Sequence, residues 1–335
     1  MTGIARDYRL QAYAPCHLER WNAFVACSVN GTFLFDRGFM DYHAHRFTDA
    51  SLLIWRGEQL MALLPAHQEG DQCISHGGLS YGGLVVAQPL GAAAFLSLLQ
   101  TLQHYLAGQG VRSLLYKTIP SIYHQWPCEE DRYALFRCQA KLVRREVLSV
   151  IGPGPAHWPK ARRKPLSGAL RRRGGLTLTR VQGADEPPAW AAFWVLLAAE
   201  LSERHHSAPV HSLDEMLLLA QRFAAHIHLR LAWQGDTVIA GMVLFDTATV
   251  SHVQYMAASP AARRCAALDQ LIELAIEQAQ SKGRWFDFGH SNEAGGQVLN
   301  EGLCFYKESF GASTVVHDHY LLPCHTTEVH DGPCE

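Results

Sequence analysis

The chain of 335 residues has no long hydrophobic run, no dominant charge and no paired-cysteine motif, and each lack closes off a class of protein. The longest apolar stretch, Ala189 to Ala199, is far too short to cross a bilayer. The first residues, MTGIARDYRL, are polar and lack the apolar centre of a signal peptide. The expectation is a soluble protein of the cytoplasm with no membrane insertion. A formal net charge of -2 names no partner. The nine cysteines are scattered and odd in number, with no CxxC pair, which fits a reducing compartment where they serve as small apolar residues. Nineteen histidines lie singly or in loops without HExxH or Cys/His zinc spacing, so no metal is expected. What remains is a globular composition, 48% apolar, long enough for two domains.

The order of elements repeats. Tyr8 to Ala14 reads as a strand, and His17 to Cys27 as a helix with Trp21, Phe24 and Val25 on one face. Ser51 to Pro65 reads as a hairpin that turns at Arg56-Gly57-Glu58, and Phe95 to Leu106 has the helical period. In the second half Leu229 to Phe245 is again a hairpin, and Leu268 to Ala279 again a helix. The octapeptides WRGEQLMA (Trp55 to Ala62) and WQGDTVIA (Trp233 to Ala240) align, each with a Trp, a Gly-acid turn and an apolar return strand. Each helix leads to a glycine, Gly110 or Gly283, and then an apolar strand, Ser113 to Tyr116 or Trp285 to Phe288. Four elements in one order imply two copies of a mixed α/β module. The expected division is an N-terminal module over 1–150, a linker over 151–165 broken by Gly152-Pro153-Gly154-Pro155, a second module over 166–325 and a flexible tail over 326–335.

Two insertions mark the second copy. A basic run holds Lys160, Arg162, Arg163, Lys164, Arg171, Arg172, Arg173 and Arg180, and reads as a solvated surface or as a phosphate or nucleic-acid contact. A helical pair over 187–225 includes a capping box, Ser212 to Glu215, that starts its second helix. The loop between the two is rich in imidazole, with His205, His206 and His211.

The densest stretch is Gly283 to Ser313. The strand Trp285-Phe286-Asp287-Phe288-Gly289 spills into His290-Ser291-Asn292-Glu293, and a helix is expected from Val298 to Phe310 with Gly311 as its stop, then a strand from Val315 to Leu322. Ionisable side chains thus sit at the C-terminal end of a strand, where open α/β sheets hold ligands. Asp287 lies between aromatics, and on a buried face it needs a partner.

The hairpin, helix, strand, loop, helix and strand, with Phe305-Tyr306-Lys307-Glu308-Ser309-Phe310-Gly311, resemble the GNAT N-acyltransferase module. Two such modules resemble the Fem-type aminoacyl and acyl transferases, through Asp287-Phe288-Gly289, Asn300-Glu301-Gly302-Leu303 and Tyr306-Lys307…Phe310-Gly311. The resemblance implies an α/β fold of two tandem GNAT-like modules, each a mixed, mostly antiparallel sheet flanked by helices, facing a shared cleft. One departure stands out: the superfamily's glycine-bearing pyrophosphate loop is here Pro260-Ala261-Ala262-Arg263-Arg264-Cys265-Ala266-Ala267, without glycine.

The reaction so implied is acyl transfer to an amine, most simply acetyl from acetyl-CoA onto an amino sugar or envelope precursor. The alternative is a Fem-type transfer from aminoacyl-tRNA, with the basic run contacting the acceptor stem, and a non-catalytic binding protein on the same fold is the third reading. In the resemblance Tyr306 protonates the departing thiolate, or Lys307 steadies negative charge on the acyl carbonyl. Arg263, Arg264, Ala266, Tyr255 and Met256 would meet the cofactor, the last two on a splayed strand from Ser251 to Met256. From the residues themselves, His290, Asn292 and Glu293 are candidates to abstract the amine proton, directly or through water, or are ordinary loop polarity, and Asp287 is a candidate for catalysis or substrate binding. Ser80 and Tyr81 lie between glycine pairs that permit either close approach to a ligand or a tight turn. Lys117 is expected to meet an anionic acceptor in the cleft, and His206 and His211 to touch substrate or to connect helices.

Overall fold

The two Gly-acid turns make hairpins of the same construction. In the first, β3 (Leu52–Arg56) returns as β4 (Gln59–Leu64); in the second, β11 (Ile227–Gln234) returns as β12 (Thr237–Asp246). Each loop has two residues and begins with a glycine at φ +58, a conformation that an L side chain resists and that matches the twist of the flanking strands. Each pair also slips register immediately before the aligned tryptophan, between Ile54 and Trp55 in one and between Ala232 and Trp233 in the other. A bulge at the same place in both octapeptides is a second, independent mark of duplication.

The computed structural model describes residues 8–154 and 176–324, and the chain divides into two units. Residues up to Arg145 with those from His317 onward form the first, and Glu146–Val316 the second. This departs from a linear cut near 151–165, because the last strand, β17 (Ser313–Pro323), runs its final residues antiparallel to β8 (Ser113–Lys117), with His319 opposite Lys117 and Pro323 opposite Ser113. The end of the chain therefore completes the first unit. The basic residues 160–173 and the proposed tail lie outside the described residues; Arg180 is on the strand β10 (Leu176–Gln182).

In the first unit, β1 (Tyr8–Ala12), β3, β4 and β7 (Val85–Val86) pair antiparallel in that order. A second group places β6 (Gln72–Ile74) parallel to β8. Between these two in sequence runs the helix α3 (Ala92–Gly108), whose Phe95, Leu98, Leu99, Leu102 and Leu106 pack on Leu52, Ile54, Leu64 and Leu114 as the core. The helical period predicted for 95–106 is this buried face.

The glycine-rich loop of this unit is packed inward. A methyl group on Gly82 would overlap the carbonyl oxygen of Ser75, and one on Gly83, whose φ is +84, would lie 2.9 Å from the Tyr116 ring. Gly82→Ala is expected to destabilise the protein by about 2 kcal/mol or more, read as a lower urea midpoint, since backbone cannot yield as a side-chain tip can.

The second unit has the strand order β10, β11, β12, β13 (Val250–Ala258), β14 (Trp285–His290), followed by the end of β9 (Lys141–Ile151), where Ile151 opposes Phe286. All pairs are antiparallel except β13 with β14. That parallel pair needs a crossover, supplied by α7 (Pro260–Cys265) and α8 (Ala267–Ser281). Leu271, Ile272, Ala275, Ile276 and Ala279 of α8 pack on Ala240, Met242, Leu244, Phe286 and Phe288. The inserted helices are α5 (Pro187–His205) and α6 (Leu213–Arg222), and Ser212 and Glu215 exchange the two capping hydrogen bonds at 3.1 and 2.8 Å.

The last helix, α9 (Glu301–Glu308), starts later than the expected Val298. Val298 and Leu299 pair as a short strand with Asn292 and Glu293, and Asn300 caps the helix by accepting the Leu303 N–H at 3.0 Å. Among the described residues no helix is long and apolar enough to cross a membrane.

Candidate active site

β13 and β14 run parallel for three rungs, Val250–Trp285, Ser251–Phe286 and His252–Asp287, and then part. β13 continues to Ala258 and β14 to His290, so beyond the last rung the two strands no longer pair with each other and β13 backbone faces the gap. On its other side β13 slips register against β12: Val243 opposes Tyr255, Leu244 opposes Val253, and Gln254 is the bulged residue. The splayed strand expected at Ser251 to Met256 is this segment. Past it, Met256, Ala257 and Ala258 line a cavity of about 610 Å³ together with Arg263, Asp269 and Tyr306.

The closed end of the splay is held by buried charge. Asp287 is 1% exposed; its Oδ2 lies 2.9 Å from His252 Nδ1, and its Oδ1 accepts the Gly289 N–H at 2.7 Å. Lys307 on α9 is also 1% exposed, and its Nζ donates to the carbonyls of Gly289 at 2.9 Å and His290 at 2.7 Å. Loss of solvent pushes the Lys307 ammonium down to about 8, with Asp287 and Cys304 opposing the shift. The turn at Gly289, φ +75, is thus gripped by a carboxylate at its N–H and an ammonium at its C=O.

The other expected site residues divide into groups. Tyr306 reaches the cavity and donates its phenolic proton to Asp269 Oδ1 at 2.8 Å. Arg263 and Ala266 line the same cavity, with one Arg263 nitrogen 2.6 Å from both carboxylate oxygens of Glu200, while Arg264 is exposed. Ala266 adopts φ +52 at the start of α8, the left-handed conformation for which a glycine would be the usual choice. Tyr255 packs edge-on against Trp194, and its hydroxyl lies 2.7 Å from His211 Nδ1; burial raises its pKa. His211 is therefore a buried partner of Tyr255, and His206, exposed at φ +47, ends α5.

Three residues of the strand-end loop maintain its shape. His290 Nδ1 donates to the Asn292 carbonyl at 3.2 Å, Asn292 Oδ1 accepts the Val147 N–H at 2.6 Å, and Glu293 accepts from Asn300 at 2.9 Å. Ser80, Tyr81 and Lys117 belong to the first unit. There Lys117 is not open to an anionic acceptor: it is buried and donates to the carbonyls of His76 and Leu79. Tyr81 is likewise interior, with its hydroxyl 2.9 Å from Thr32, while Ser80 is exposed. The glycines around them give a tight packed turn, the second of the two options the sequence leaves open.

Sequence reasoning missed His252, Glu200 and Asp269. The signal for His252 was present as a demand: Asp287 needed a buried partner, and His252 is a polar residue in the strand that α8 makes its parallel neighbour.

With this geometry in view, residues 160–307 match the family of the Acetyltransferase (GNAT) domain, and the chain is of the acyltransferase class. The fold resembles that of several solved proteins. FemX covers 94% of this chain with 97% of its own at 11% identity and a TM-score of 0.66. A tandem GNAT protein from the clavulanic acid biosynthesis pathway covers 96%, with all of its own chain, at 9% identity and a TM-score of 0.54. The C-terminal domain of a putative lysylphosphatidylglycerol synthetase from Agrobacterium fabrum covers 91% of both chains at 15% identity and a TM-score of 0.58. These likenesses show the fold, a tandem GNAT architecture of Fem type. No match is found among curated proteins.

Proposed function

We propose that the chain transfers an acyl group from an activated donor to the amine of an amino sugar or similar envelope precursor. The donor lies in the second unit's cavity with its carbonyl at the splay. The observation that carries this reading is the end of parallel pairing at His252–Asp287, which opens unpaired β13 backbone beside a cavity large enough for the reacting arm of a donor. An N–H of that backbone would hold the oxyanion as the carbonyl carbon becomes tetrahedral. Acetyl-CoA is the donor the matched domain favours, with the start of α8 in the place of the superfamily's phosphate loop.

The cavity's charge favours a second donor. Its lining carries two carboxylates, Glu200 and Asp269, against one guanidinium that is already engaged by Glu200. Asp269 sits in the first turn of α8, where a phosphate would otherwise gain from the helix dipole, and Tyr306 gives its proton to Asp269 and so offers the cavity a lone pair. Such a lining suits the ammonium of an aminoacyl ester, as carried by tRNA, better than a pyrophosphate. A donor screen with acetyl-CoA and alanyl-tRNA, reading free thiol and released tRNA, tests the reading; no transfer from either to any amine would reject it. Glu200→Gln separates the two donors. It is expected to tighten acetyl-CoA binding several-fold in a calorimetric titration if Arg263 meets phosphate, and to weaken aminoacyl transfer by a similar factor if the carboxylate meets an ammonium.

A further inference from the structure

We infer that His252 is the general base that deprotonates the acceptor amine, and that Asp287 positions it. This rests on the acyl-transfer reading. The His252–Asp287 contact is the last rung before the strands part, two residues from the bulge at Gln254 and four from the cavity wall at Met256. The base therefore stands where an acceptor would approach a carbonyl held in the splay. Asp287, buried and fixed through its other oxygen by the Gly289 N–H, sits against Nδ1. A carboxylate there keeps the proton on Nδ1 and leaves the Nε2 lone pair facing away from it. The His252 side chain is 18% exposed, enough for a small amine to reach its outer edge. Lys307 is a further charge that acts on Asp287.

The step balances without a further reagent. Nε2 takes one proton from the acceptor ammonium and becomes imidazolium. The freed nitrogen lone pair forms the C–N bond at the acyl carbon, and the carbonyl electrons rest on oxygen. As the carbonyl re-forms, the bond to the donor's sulfur or oxygen breaks, and that atom takes the second proton from the attacking nitrogen. The imidazolium then returns its proton to solvent.

The test compares two acceptors. Wild type and His252→Gln are assayed with acetyl-CoA and with alanyl-tRNA as donors, using glucosamine, whose amine is largely protonated near neutral pH, and hydroxylamine, whose nitrogen is not, with the uncatalysed rate subtracted. His252→Gln is expected to lower kcat with glucosamine about 100-fold while the deficit with hydroxylamine shrinks to a few-fold, donor binding staying within two-fold of wild type. An equal deficit with both acceptors, or none with either, overturns the assignment while leaving acyl transfer intact. No transfer by wild type to either acceptor overturns acyl transfer and the base together. A readout without turnover keeps the pair testable alone: diethyl pyrocarbonate should modify His252 at Nε2 in the resting protein, by peptide mass spectrometry, and Asp287→Asn should slow that reaction several-fold. Absence of modification, or a rate indifferent to Asp287→Asn, counts against the pair.

Discussion

Lys307→Met is expected to lower acyl transfer about 100-fold and to leave the protein folded. Lys307 is a positioning residue, since its ammonium holds the carbonyls of Gly289 and His290 and so fixes the turn whose N–H holds Asp287. An error of about 1 Å in the His252–Asp287 rung would cost about that factor in rate. Stability changes far less, because two terms oppose. Methionine leaves two carbonyls without their donor, at about 1–3 kcal/mol each, but it also removes a buried ammonium whose pKa falls from 10.5 to about 8, a penalty of about 3 kcal/mol. Below pH 8 the folded and unfolded chains both carry the Lys307 proton, and the penalty is present in full. Between about 8 and 10.5 the unfolded chain binds more protons, so wild-type stability rises with pH, and Lys307→Met should lack that rise in urea titrations. Wild-type turnover should fall above about pH 8 as the ammonium is lost. A variant with wild-type turnover would show that Lys307 serves packing alone.

The second large effect is acid unfolding of the first unit. His76 is buried, tilted against the rings of His43 and Phe47 and edge-on to His67. Burial drives its pKa down to about 2, helped by His43, His67, Lys117 and Arg37. Its folded pKa is depressed, so the stability it contributes is complete above its ordinary value of 6.5 and is lost as pH falls from 6.5 toward 2. One proton taken up on unfolding costs about 1.4 kcal/mol per pH unit, or about 2 kcal/mol between pH 6.5 and 5. Beside it, His67 Nδ1 accepts the Gly77 N–H at 3.1 Å. His76→Asn tolerates the φ of +60 at this position and should flatten the dependence by about one proton, measured as urea stability from pH 7 to 5. Equal slopes in the two proteins would count against the assignment.

The sequence disclosed the fold best where backbone chemistry is local. The Gly-acid turns, the helical period of Phe95 to Leu106 and the Ser212–Glu215 capping box each depend on residues a few positions apart. The error at Val298 had a local cause as well: two apolar residues continued a helical pattern, while their strand partners, Asn292 and Glu293, lie across a glycine turn. The site was legible only in halves. Asp287 and Lys307 were visible as residue types, but what engages them is set by strand order. His252 is 35 positions from Asp287, and nothing in a linear pattern shows which two strands α8 will place side by side. Lys117 looked like the equivalent of the functional loop because it ends the corresponding strand, yet the two carbonyls that use its ammonium come from a turn some forty residues earlier.

The grip on Gly289 has a further consequence, for the ionic medium. Asp287 and Lys307 are both sealed from solvent, so mobile ions cannot gather around them, and added salt leaves their hold on the turn unscreened. The Arg263–Glu200 pair at the cavity is partly open to water, with the guanidinium 37% exposed, and weakens as ionic strength rises. On the proposed reading, salt therefore acts on admission of the donor and leaves the geometry of the transfer unchanged.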